Sequence, residues 1–245
     1  MKKILLIVCY LLFFVNYSLA DTKSEKREFI LYAKLPIVPK IPILQLSTDL
    51  LEINRNKFEL QFNVKTLNIV KYISSINGKG SVEGFVQNNN YFPKSYMYEY
   101  VRGSKEKSVH LQYSNEKIIE EIFTPKFDKN KLTPITNEQK VNTIDPATLF
   151  LRLLNINKSN ECSDTIKVYD GKRRYDVIFN EKIIVDQIIE CSASQERIGG
   201  YKMDKIDPLT NTDLVKIKYQ DSDNKKFLGF YAKKGLIEIT IEEIN

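Results

Sequence analysis

SVEGFVQNNNYFPKSYMYEYVRGSKEKSVHLQYSNEKIIEEIF, residues 81–123, decides the fold. Four segments rich in aromatic and β-branched residues follow one another, at 81–87, 94–102, 107–114 and 117–123. The links between them, NNNYFP, GSKE and NE, are short and polar. Links this short join antiparallel neighbours, because a parallel return needs a longer crossover. The stretch therefore reads as an antiparallel meander.

Upstream, residues 57–66 alternate cleanly, with Phe58, Leu60, Phe62 and Val64 on one face of a half-buried strand. Residues 28–34 and 43–53 read as further strands. Between them, Pro36, Pro39 and Pro42 exclude a helix or a central strand and suggest an extended edge or a crossing segment. Residues 67–76 fit a short helix or a strand equally well. Asn77-Gly78 and Lys79-Gly80 carry turn chemistry.

Downstream, 124–143 is a polar loop, longer than most connections. Asp145-Pro146 then opens a helix over 145–155, with Asp145 as N-cap and Pro146 at the first helical position. Its body, ATLFLRLLN, is apolar apart from Thr148 and Arg152. A helix apolar nearly all round needs cover on several sides. The simplest cover is the concave face of a curved sheet, with Leu149, Phe150, Leu153 and Leu154 lining a candidate apolar pocket. Strands resume at 165–169, 173–180, 183–194, 214–220, 227–233 and 236–243. The fold class is mainly β. It is expected to be a single large curved antiparallel sheet or half-barrel of about a dozen strands, with one short apolar helix on its concave face.

Residues 1–20, MKKILLIVCYLLFFVNYSLA, read as a cleavable signal peptide. Lys2 and Lys3 precede the apolar run 4–15, and Ser18-Leu19-Ala20 puts small residues at the cleavage site. The run is shorter than the roughly 20 residues a membrane span requires. Cleavage leaves residues 21–245 as a single β-rich domain, expected in the periplasm and without a stable membrane span. An uncleaved anchor is the rival reading.

Cleavage also removes Cys9 and leaves Cys162 and Cys191. An even count in an exported chain points to one disulfide, with two free thiols as the alternative. Without Lys2 and Lys3 the chain has 35 basic and 31 acidic residues, a net charge of +4. The signs alternate along strands, as in KIIEEIF, so solvated faces explain the charge and nucleic acid is not an expected partner.

No GxSxG, HExxH, GxGxxG or Walker-type loop occurs. The single histidine, His110, sits mid-strand. The pairs Glu120-Glu121 and Glu242-Glu243 are adjacent in strands and point to opposite faces, so neither makes an acid–base dyad by itself. No catalytic residue, metal site or cofactor is expected. The densest polar stretch is DGKRRYD, residues 170–176. It reads as a hairpin laced with ion pairs, or as an anion-binding hairpin using Lys172, Arg173 and Arg174. The aromatic clusters in YFPKSYMYEYV and KFLGFYAKK pack across strands or line an apolar pocket.

DPATLFLRLL, Cys162, VYDGKRRYDV and Cys191 together resemble the bacterial family known as domain of unknown function 3108. The positions that carry the resemblance are Asp145, Pro146, Leu149, Cys162, Asp170, Gly171, Arg173, Arg174, Tyr175, Asp176 and Cys191. The resemblance implies an exported envelope protein without an assigned activity. It also suggests a likeness to the curved half-barrel of periplasmic lipoprotein carriers, which hold acyl chains in a concave sheet. The expected function is binding of a lipid or other amphiphilic envelope ligand. A non-enzymatic interaction protein, with an envelope protein as partner, is the alternative, and a hydrolase or transferase ranks third.

Overall fold

The computed structural model describes residues 22–53, 56–68, 75–155, 162–202, 214–222 and 225–244. The signal-peptide reading of residues 1–20 lies outside them, as does most of the ambiguous 67–76 segment. The strands are β1 (Thr22–Leu35), β2 (Val38–Ile53), β3 (Lys57–Thr66), β4 (Ile76–Gln87), β5 (Asn90–Arg102), β6 (Lys105–Ser114) and β7 (Lys117–Thr124). A helix, α1 (Pro146–Leu154), separates these from β8 (Thr165–Tyr169), β9 (Arg174–Val185), β10 (Ile188–Gly199), β11 (Leu214–Gln220), β12 (Phe227–Lys234) and β13 (Ile237–Ile244).

All thirteen strands form one sheet, in the order β7-β6-β5-β4-β3-β2-β1-β13-β12-β11-β10-β9-β8. All pairings are antiparallel and join sequence neighbours, except that β1 meets β13 while β7 and β8 lie at opposite edges. The mainly β, antiparallel fold is as the sequence implies. The sheet does not close by strand pairing, but it curves until its edges meet. Helix α1 touches both β5 and the edge strand β8. The Tyr169 hydroxyl at the end of β8 lies 3.0 Å from Glu121 Oε2 on the opposite edge, β7.

Three local expectations need correction. Asn77-Gly78 and Lys79-Gly80 make no turn and lie inside β4. There glycine makes room for rings: a Cβ on Gly80 would come 2.3 Å from Phe62 Cζ, and one on Gly78 2.7 Å from the Tyr98 hydroxyl. Residues 183–194 are not one strand. Asp186 and Gln187, with φ of 50° and 62°, turn the chain between β9 and β10, and both-positive φ is the hairpin turn that matches strand twist. Finally, Pro39 and Pro42 sit within β2, a strand with neighbours on both sides. The proline portion itself pairs only with β1, and pairing with β3 begins at Leu44. The missing N–H groups thus fall where one ladder is absent.

Two buried clusters fill the concave side. The first gathers Leu50, Phe58, Leu60, Phe62, Val82, Tyr96 and Leu111 with Leu151 of α1. The second gathers Phe29, Ile189, Ile217, Tyr219 and Phe227 with Leu154 of α1 and the disulfide Cys162–Cys191. The helix bridges the two halves of the sheet, with Leu151 buried in one and Leu154 in the other.

Candidate functional site

Asp145 caps α1 as its position before Pro146 implies. Its Oδ1 accepts the N–H groups of Ala147 and Thr148, both at 2.9 Å, and its Oδ2 accepts the Thr148 hydroxyl at 2.6 Å. It is fully buried. Loss of hydration raises its carboxyl to about 6, against the opposing effect of these hydrogen bonds.

The helix side chains divide between core and cavity. Phe150 packs edge-on against Phe29, with centroids 5.1 Å apart, and Leu153 and Leu154 lie in the second cluster. Leu149 is half-buried. The space beside Phe150, Leu151 and Leu154 is about 10 Å³, room for one water at most. This face is filled by the protein's own side chains.

The cavity lies on the Arg152 side of the helix. It measures about 360 Å³ and opens between α1, the β4–β5 hairpin and the β6–β7 turn. Phe85, Phe92, Pro93, Tyr113 and Ile144 supply apolar wall, and Arg152, Lys94 and Glu116 supply charge. The Phe85 and Phe92 rings stack at 5.4 Å. Arg152 Nε donates to the Tyr91 carbonyl at 2.8 Å, and the guanidinium lies 4.8 Å from the Phe92 ring centre. Burial lowers its pKa, with Asp145, Asp164 and Glu116 opposing from a distance. A guanidinium remains charged even so. Among the described residues no carboxylate forms an ion pair with it. An apolar concavity of this size with a few fixed polar groups is the usual form of a small-molecule site. Sequence reasoning missed Arg152, Phe85 and Lys94. The available signal was Arg152 itself, the one cation in an otherwise apolar helix.

The DGKRRYD stretch does form a hairpin, between β8 and β9. Asp170 Oδ1 accepts the N–H groups of Lys172 (2.8 Å) and Arg173 (2.6 Å) and so fixes the turn. Arg174 does not join Lys172 and Arg173. Arg174 is only 3% exposed. Its Nε donates to the Gln139 carbonyl, and its Nη1 donates to the Tyr175 carbonyl and Asp176 Oδ1, each at 2.6 Å. It binds the 125–144 loop to the sheet. Lys172 Nζ lies 5.7 Å from the centre of the Phe127 ring, and Arg173 Nε is 3.9 Å from Asp170 Oδ2.

The remaining candidates occupy structural positions. His110 Nε2 lies 2.9 Å from Gln112 Nε2. Glu121 pairs with Lys140, and Glu242 pairs with Lys40. Among the described residues, no three His, Cys, Asp or Glu side chains gather as a metal site, and no helix is long and apolar enough to cross a membrane.

The family described as "Protein of unknown function (DUF3108)" matches residues 42–190. The chain belongs to this family. The DUF3108 segment runs from within β2 to the start of β10. It contains α1, the cavity and the hairpin, with Asp145, Pro146, Asp170, Gly171, Arg173, Arg174, Tyr175 and Asp176, and it stops one residue before Cys191. Among solved structures, this DUF3108 chain is similar to a β-barrel-like protein of domain of unknown function DUF1849 from Brucella abortus. The identity is 8%, coverage is 90% of this chain and 95% of that one, and the TM-score is 0.45. A DUF1329 family protein from Desulfovibrio piger matches at 8% identity, covering 93% of this chain and 85% of that one, with a TM-score of 0.22. No curated protein matches the chain.

Proposed function

We propose that this DUF3108 protein is exported to the periplasm and binds an amphiphile bearing one anionic group. The observation that carries the reading is the 360 Å³ cavity in which the Arg152 guanidinium, without a carboxylate partner among the described residues, lies over Phe92, itself stacked on Phe85. The apolar tail lies against Phe85, Phe92 and Ile144. The anionic group meets Arg152, with Lys94 at the rim. Export is supported by the first twenty residues and by the Cys162–Cys191 disulfide, a bond typical of oxidising compartments. A second reading, an envelope interaction protein, draws on the exposed Ile183, Ile184, Val185 and Ile188 at the β9–β10 tip.

The test is fluorescence titration of purified residues 21–245 with cis-parinaric acid, backed by native mass spectrometry of protein taken from a periplasm. One molecule per chain is expected. R152Q keeps a donor for the Tyr91 carbonyl but loses the charge. It should weaken binding roughly 10- to 100-fold, the range of a charge-assisted contact. Absence of binding, or equal binding by R152Q, overturns the proposal and shifts weight to the interaction reading.

A further inference from the structure

At the opposite end of β4–β7 from the cavity, two glycines clamp the 170–173 turn. Gly171, at φ +90°, rests on β6 and β7: a Cβ there would come 2.6 Å from Val109 Cγ1 and 2.6 Å from Phe123 Cε1. Val109 is two residues from Lys107, on the same face of β6. On the other side Gly200, at φ +83°, lies against the turn's backbone, and a Cβ there would meet the Lys172 carbonyl oxygen at 1.8 Å. Lys202 follows two residues later and bridges to Leu132. Three segments distant in sequence therefore pack together, and they carry Lys107, Lys172 and Lys202.

The charges of Lys107 and Lys202 both bear on Lys172. Lys172 is held below the ordinary lysine pKa by burial first, then by Arg173, Lys202 and Lys107, with Asp170 opposing. Among the described residues, none of the three lysines has a carboxylate in ion-pair contact. The nearest candidate, Asp170, is committed to the turn amides and to Arg173. Two rings flank the group: Lys107 Nζ lies 5.9 Å from the Tyr100 ring centre, and Lys172 Nζ lies over Phe127.

Like charges gathered together oppose folding, and the long cation–π contacts to Tyr100 and Phe127, with Asp170 shared with Arg173, offset only part of that. A neutral polar side chain would fill the same positions without the repulsion. A bound anion removes the conflict. Lysine acts as a point charge with three rotatable donors, and several converging lysines suit a tetrahedral dianion better than a planar carboxylate. We propose that Lys107, Lys172 and Lys202 form a binding site for a phosphate group. The site excludes Arg174, which is spent on the loop, and is separate from the Arg152 cavity.

Isothermal titration calorimetry with inorganic phosphate and glycerol 3-phosphate tests the site. Co-sedimentation with phosphatidylcholine vesicles, with and without phosphatidic acid, runs beside it. The expected result is phosphate-dependent binding that weakens with added salt, and a K107Q/K172Q/K202Q variant at least 10-fold weaker. That variant should melt at the same temperature as the unaltered protein or higher, since its repulsion is gone. K202Q alone, at an exposed position, should show the same direction with a smaller loss. R152Q should bind phosphate normally, which separates this site from the amphiphile reading. Binding of the soluble probes without vesicles identifies a free phosphate source. Binding only to phosphatidic acid vesicles identifies a lipid headgroup. Either supports the site. No binding by any probe, or undiminished binding by the triple variant, overturns it.

Discussion

Asp145 is an acid that the fold keeps from water at the start of its only α-helix among the described residues. Its carboxyl titrates near 6 in the folded protein and near 3.9 when unfolded. The unfolded chain therefore releases this proton first as pH rises. Stability from the neutral form is present below about pH 4 and is lost between about pH 4 and 6, on the order of 3 kcal/mol for a shift of this size. D145N retains an acceptor for the two backbone N–H groups, and its amide can donate to the Thr148 hydroxyl. Urea denaturation across that pH range should give a flatter stability profile for D145N than for the unaltered protein. Parallel profiles would refute the assignment. The capping role was legible because it is local: Asp, then Pro, then an apolar run. The fate of Arg174 was not. Its principal partner, the Gln139 carbonyl, is 35 residues away, and strand alternation says nothing about which loop crosses the end of a strand.

Elements were legible where side-chain period and turn chemistry agreed. The β4–β7 meander met that condition. Gly78 and Gly80 did not, because a glycine under an aromatic ring and a glycine in a turn look the same in sequence. Helix α1 was recognised, but not which face it buries, since nearly every face is apolar. Packing decides in favour of Leu151 and Leu154, both nearly inaccessible, over Leu149. L151A should cost about 2–5 kcal/mol, the range for truncating a buried leucine, and L149A clearly less. Guanidinium denaturation of both variants checks the ordering, and equal losses would contradict the packing. Of the cavity only the wall at Phe92 and Pro93 was legible, within YFPKSYMYEYV, for a related reason. Its walls come from a helix, a hairpin and a turn whose proximity depends on how far the whole sheet curls.

At the scale of the whole molecule, the disulfide ties the chain leaving α1 to β10, in the half of the sheet that the helix reaches with Leu154. Its cysteines are 29 residues apart. Loop-closure entropy gives about 3.5 kcal/mol for a loop of that length. C162A/C191A should lower the unfolding free energy by about that amount, and reductant should do the same to the unaltered protein while leaving the variant unchanged. A variant as stable as its parent would show the bond to be thermodynamically idle. The cysteine pairing could be anticipated by counting. The meeting of β1 with β13 could not, because no local pattern specifies which distant edge a strand will choose.

That meeting orders events in time. A ribosome makes β1 first and β13 last, yet the two are neighbours in the middle of the sheet. As the chain emerges from its N-terminal end, β1 to β7 can zip by nearest-neighbour hairpins, and β8 to β12 can do the same. The two ladders stay separate until the final eight-residue strand exists. A chain cut short before Ile237 would hold two unjoined ladders, with raw edges at β1 and β12 where the finished protein has interior.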